Sequence, residues 1–508
     1  MRLSIVLLFC ITYLCAQRQD YRWMLGSPDG TPYGSPKFGG MDLDFNQGYV
    51  KLVINHKPFY MNSHNASICD EKGELLFYTD GCYLTDAHNK KITGGDSLNP
   101  IYNYYENCVK EGRLYPGGLD YPQGGIILPK PGTKNRYYYF SLEDYLGKNF
   151  AFSPHVLCTE VEYRKDSVVP FIVLGKNLPV CKDTFPVGSM IAISKSHGDG
   201  YWIVIRKDRS NVFYTLDVAA DSIRCSKKVI GEYYQYTDLG VAAFSPDGKK
   251  YAFYAQEFGL ELMDFDRESG TLANYQKIHV LDTIEGGGYG GVCFSPNSQF
   301  LYVATAVDLF QYNIQLSDIK SSEKFIGHIN LQSCNPGRNN IASFGPMVLG
   351  PDCRIYMVSN YQQKCMNMIL NPNGEGSDCG FVQQAIRLPY LNHSSIPNFP
   401  HYRIDEPYPC DSSIRFELSV LEDFDFTRSL TVYPNPAKEQ IHIGFPSALQ
   451  YESMILVYDA RGNLLDSKII PRTTEDYLLN CSELASGIYF FQIKSSNGAY
   501  ASGKFVVN

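Results

Sequence analysis

"FSPDGKKYAFYAQEFGLELMDFDRESGTL", residues 244–272, is the stretch on which the fold turns. It reads as the end of a strand, a Pro246-Asp247 turn, the strand "KYAFYA", a short connection, a second strand and a further turn. Proline pre-sets φ at the second turn position, and Asp, Asn or Gly accept the next. The pattern returns as "FSPNSQFLYVATAVDLFQYNIQLSDI" from Phe294 and "LGPDCRIYMVSNYQQKCMNMILNPNGEG" from Leu349, so the starts lie 50 and 55 residues apart. A period of roughly 40–55 residues with several strands per unit points to a β-propeller.

Fainter copies lie upstream at 66–81, 124–145 and 190–218, each pairing two strands across a Gly-containing turn. That makes six units between about residues 40 and 405. The start of the mature chain and the stretch before 410 would supply a seventh by closing the ring. The expected fold class is all-β: a propeller of about seven blades over 17–417, a linker at 418–429, and a small immunoglobulin-like β-sandwich over 430–508. Two packed β-sandwiches are the competing arrangement for the body. No long window has a helical period.

Composition narrows the function classes. The 508 residues carry a net charge of −8, with no basic run, which argues against a nucleic-acid partner. The 39 Tyr, 43 Gly and 28 Pro fit a turn-rich β-protein. The N-terminus "MRLSIVLLFCITYLCAQ" has Arg2, an apolar run too short to span a bilayer, and Ala16 before Gln17. Residues 1–16 therefore read as a signal peptide, and no transmembrane segment is expected in the mature chain. Removing Cys10 and Cys15 leaves 13 of the 15 cysteines, an odd number, so at least one is unpaired or bonded between molecules. Export permits disulfides. Neighbours in sequence, Cys69/Cys82, Cys158/Cys181, Cys334/Cys353 and Cys365/Cys379, are candidate pairs, although connectivity stays open. No Cys/His spacing fits zinc.

"VYPNPAKEQIHI", "VYDARGNLL", "LASGIYFFQI" and the closing "GKFVV" follow one another within the last 79 residues. This tail resembles the type A sorting domain of the type IX secretion system in Bacteroidota. Pro434, Asn435 and Pro436 match that family's opening turn, Gly487 and Tyr489 its Gly-x-Tyr strand, and Gly503, Lys504 and Phe505 its terminal strand. The resemblance implies a cleavable export address with two partners, an outer-membrane translocon and a sorting protease. It also implies a secreted or cell-surface location reached through the periplasm. "ASICDEKGELLFYTDG", "FSPDGKKYAF" and "SIPNFPHY" resemble the exported WD-repeat-like propellers of the same bacteria over residues 23–405.

No chemistry declares itself. Gly286, Gly288 and Gly291 have G-x-G-x-x-G spacing, but a strand and a Pro turn follow where a dinucleotide site needs a helix. There is no GxSxG and no HExxH. Asp264, Asp266 and Glu268 alternate as in a calcium loop but lack the later ligands, so a hairpin loop is the better reading. His64, His155 and His401 could approach a ring axis. No catalytic residue, metal or cofactor is assigned. The expected function is non-catalytic binding or scaffolding of a glycan or protein at the cell surface, with Tyr side chains for stacking. The alternative is a secreted hydrolase of glycans or peptides at the channel mouth, marked by converging carboxylates or a nucleophile with its base. A role in gliding or adhesion would be compatible with binding.

Overall fold

The computed structural model describes residues 17–28, 39–55, 57–99, 105–109, 118–143, 145–146, 151–186, 188–235, 240–280, 290–330, 334, 342–404, 410–416, 430–445, 453–460, 463–495 and 500–508. The expected signal peptide (1–16) and linker (418–429) lie outside them. The chain divides into two compact units, Met1–Leu418 and Ser419–Asn508.

The body holds seven antiparallel sheets in chain order, over residues 22–54, 66–86, 125–185, 191–229, 241–278, 291–328 and 347–392. The fifth sheet is the 244–272 repeat made visible. Its strands Val241–Phe244, Lys250–Ala255, Gly259–Asp266 and Thr271–Ile278 lie side by side in that order. The Ser-Pro-Asp-Gly turn is held by the Ser245 hydroxyl donating to Asp247 at 2.6 Å and by Asp247 accepting the Lys249 N–H at 3.1 Å. Gly248 sits at φ +71°, which glycine adopts without strain. Ser295 and Asn297 build the same turn in the sixth sheet, at 2.6 Å. The strand after each turn is buried almost throughout, whereas outermost Thr271–Ile278 alternates in and out. Inner strands thus read as apolar runs and rim strands as half-buried ones.

Each sheet packs on the next. Phe77 and Leu84 of the second meet Tyr139 and Val161 of the third, and Phe140 and Val156 of the third meet Ile203 and Leu216 of the fourth. Trp202 of the fourth sits with Phe253 and Met263 of the fifth, Tyr254 and Leu262 of the fifth with Val303 and Tyr312 of the sixth, and Tyr302 and Leu309 of the sixth with Met357 and Ile369 of the seventh. Tyr356 of the seventh lies edge-on to Trp23 of the first, ring centroids 5.0 Å apart. The body is all-β and propeller-like. No helix among the described residues is long and apolar enough to cross a membrane.

The disulfides correct the sequence expectation. The bonds are Cys82–Cys108, Cys181–Cys225, Cys334–Cys365 and Cys353–Cys410, and none of the four neighbour pairs forms. Strand register is one reason. Cys158 and Cys181 lie on paired strands, but Cys181 faces Val156 and Cys158 faces Leu178. Cys181 instead reaches the rim strand Ile223–Val229 of the next sheet. Cys69, Cys158, Cys293, Cys379 and Cys481 are buried thiols.

The second unit has seven strands in two sheets. Thr431–Tyr433, Gln440–Gly444 and Asp476–Asn480 form one, and Leu464–Ile470, Ser453–Tyr458, Gly487–Ser495 and Tyr500–Val507 the other. Ile441, Ile443 and Leu479 of the first share one core with Val457, Phe491 and Phe505 of the second. Cys481 is buried in that core as a small apolar filler.

Candidate functional site

A propeller places its usual ligand site at the centre, where the first strands of the sheets converge. The chain's own segment 394–404, "SSIPNFPHYRI", runs past the first strands of several sheets. Asn398 donates from Nδ2 to the carbonyls of Gly125 (3.1 Å) and Met190 (2.9 Å), and its N–H donates to Asn65 at 3.0 Å. Tyr402 donates to the Ile127 carbonyl at 3.3 Å, and His401 Nε2 to the Phe244 carbonyl at 2.9 Å. Asn65 donates to Ser395 at 2.8 Å, and Ser394 to the Ser359 carbonyl at 3.1 Å. Through these bonds one segment reaches groups at or just before the second, third, fourth and fifth sheets, and the loop after the second strand of the seventh. Pro397 and Pro400 suit it, since each fixes φ and removes an N–H that would otherwise need a partner.

Two small spaces flank the segment. Ser63, Gln123, Val292, Met347 and Ile396 line one, and Ala242, Phe294, Leu349, His401 and Arg403 the other. The charge in the second is already spent. Arg403 forks onto both Asp20 oxygens, at 2.7 and 2.6 Å, and also donates to the Gln17 carbonyl at 2.8 Å. Both partners are 7% exposed, so this is a buried, bidentate ion pair. Asp20 is the one carboxylate lining these spaces among the described residues. Burial holds His401 below the usual imidazole range.

The other sequence candidates fall elsewhere. His64 is buried beside Tyr139, Nε2 to hydroxyl 2.7 Å, and burial pushes its pKa down to about 3. His155 pairs with Glu143. Gly291 opens a strand of the sixth sheet, and a Cβ there would meet the Gly345 carbonyl oxygen at 2.5 Å, so close backbone approach explains this glycine. Gly286 and Gly288 lie outside the described residues. Asp264 binds Lys250 and Asn274, and Asp266 holds the Glu268 N–H and the Ser269 hydroxyl, so a hairpin uses these carboxylates. Among the described residues no group of His, Cys, Asp and Glu could hold a metal. Sequence reading missed Asp80. It is fully buried, burial pushes its pKa up to about 7, and its Oδ2 has no hydrogen-bond partner among the described residues.

In the tail, the motif residues come together. Asn435 touches the backbone of the terminal strand at Lys504 and Val506. Tyr489 stacks on Phe505, centroids 5.5 Å apart, and donates to the Ala485 carbonyl at 2.7 Å. A Cβ on Gly503 would meet the Phe491 ring at 2.5 Å. Gly487 pairs with Val507 and has room for a Cβ.

Residues 431–508 match the family described as a secretion system C-terminal sorting domain. The match supports export by the type IX route, to the cell surface or beyond. No curated protein sequence matches the chain. Among solved structures, a candidate 6-phosphogluconolactonase of Bacteroides uniformis is similar at 12% identity and TM-score 0.42, over 74% of this chain and 98% of the other. A second, from Bacteroides fragilis, is similar at 10% identity and TM-score 0.41, over 73% and 97%. Likenesses this distant assign no activity to the chain.

Proposed function

We propose that the chain is an exported surface protein whose body is a closed, seven-bladed propeller that binds or scaffolds without catalysis. Residues 1–16 are its signal peptide, 17–417 the propeller, 418–429 a linker, and 430–508 a removable, immunoglobulin-like sorting unit. The ligand is a glycan or protein met at the rim or on a face of the ring, since the axis is taken.

The observation that carries this reading is the filled axis. Segment 394–404 occupies the place where a hydrolase of this architecture would hold substrate. The one carboxylate there is neutralised by Arg403. A general acid–base pair needs two groups with separated proton affinities and access to substrate. Seven sheets of three to five strands, with Tyr356 of the last against Trp23 of the first, favour the ring over two sandwiches. Pro434, Asn435, Pro436, Gly487, Tyr489, Gly503, Lys504 and Phe505 are its sorting motif.

The test is fractionation of the native host with mass spectrometry of both chain ends. A surface or medium product beginning at Gln17 and ending near residue 428 is expected. Deleting 430–508 should hold the body in the periplasm. Retention of the tail on an exported product would defeat the reading.

A further inference from the structure

The terminal strand Tyr500–Val507 pairs on one flank with Gly487–Ser495, Phe505 opposite Tyr489 and Val507 opposite Gly487. Its other flank would be a bare sheet edge, a row of unpaired backbone groups. The turn 434–437 covers that flank. Asn435 Oδ1 accepts the Val506 N–H at 2.9 Å, and Asn435 Nδ2 donates to the Lys504 carbonyl at 3.5 Å. The Ala437 N–H donates to the Val506 carbonyl at 2.8 Å, and the Ala437 carbonyl accepts the Asn508 N–H at 2.9 Å. A short parallel bridge, Ala437 to Val507, completes the contact.

We propose that Asn435 is a positioning residue that makes the export signal conformational: the secretion machinery reads the tail with its last strand clamped, not a linear C-terminal peptide. The proposal rests on the sorting reading above. Its ground is the convergence of two motif segments far apart in sequence. Asn435 lies 69 and 71 positions from the residues it holds. A linear signal at the chain end would place no demand on that side chain. A clamped strand does, because losing the Asn435 acceptor removes the bond at the Val506 N–H and leaves that flank to the Ala437 contacts alone.

The experiment uses the full-length chain in its native host, as wild type, Asn435→Ala, Asn435→Asp and a deletion of 430–508. Exported fraction is measured beside hydrogen exchange of Val506, Asn508 and Phe491 in the purified precursor. Asn435→Ala should speed exchange at Val506 about tenfold and cut export several-fold. Asn435→Asp keeps an acceptor for the Val506 N–H but loses the weak donor to Lys504, and should restore most of both. Wild-type export with a fast-exchanging Val506 overturns the proposal, as does unchanged exchange in Asn435→Ala. If Asn435→Ala unfolds the whole tail, Phe491 exchanges too, and Asn435→Asp decides: protected but not exported overturns the clamp. Normal export of the deletion would instead overturn the sorting reading.

Discussion

The body and the tail are both antiparallel β, yet they are held together by different means. Four disulfides lie in the body, and none joins described residues of the tail. Buried ion pairs also belong to the body: Arg206 with Glu261, Arg403 with Asp20, Lys57 with Asp42. Among the described residues of the tail, the Lys468–Asp466 pair and the His442–Asp476 hydrogen bond lie at the surface and are worth little. Its cohesion comes from one apolar core and one covered edge. Directional and covalent ties suit a part that must persist outside the cell. A single small core would suit a tail that is removed after export, as proposed above.

Both tryptophans, Trp23 and Trp202, are in the body, so their fluorescence follows the body alone. The largest break in the comparison should come from Arg403→Ala. Stranding a buried Asp20 should cost the body about 3–5 kcal/mol in denaturant unfolding followed by that fluorescence. Tail exchange should stay unchanged, and a matching loss there would abolish the distinction.

A smaller effect is expected from the double substitution Cys353→Ser and Cys410→Ser, about 2–4 kcal/mol. Segment 410–416 links the two ends of the series of sheets: Asp411 donates to Pro351, while Arg415 exchanges bonds with Gly48 and Val50. Hydrogen exchange should rise first at the first and seventh sheets. A uniform rise would show that this segment is not the seam.

At pH 5 the smallest effect is expected at Asp80. The folded body raises Asp80 to about 7, against about 3.9 unfolded. The protonated form is the one the fold favours. Its contribution is complete below the unfolded value and lost as pH rises through the folded one. Asp80→Asn should therefore gain about 1.5 kcal/mol at pH 5, at 1.36 kcal/mol per unit. His64, held at about 3, works in the opposite sense, its contribution lost as pH falls below about 6.5. The variant should show that slope unmasked, with stability rising from about pH 3 to 6.5. An unchanged pH profile would remove Asp80 from the account.

Local chemistry was legible and distant chemistry was not. The Ser-Pro-Asp and Ser-Pro-Asn turns announced the repeats because every bond in them spans a few residues. The tail motif could be read as segments, but not as a clamp, because Asn435 and Val506 share no local pattern. That Cys181 misses Cys158 depended on register shifts along the Ala151–Tyr163 strand, which no spacing encodes. "SIPNFPHY" stood out as a string, but its place between the sheets follows only when Asn398 meets Gly125 and Met190, 273 and 208 positions earlier.

Arg403 and Asp20 are 383 positions apart, so this bond ties segment 394–404 back to the start of the body across almost the body's whole length. Contacts of such separation close slowly, because the loop entropy is spent before the contact rewards it. A growing chain has no access to this lock until residue 403 has emerged. A copy truncated before that point lacks this contact however well the individual sheets form.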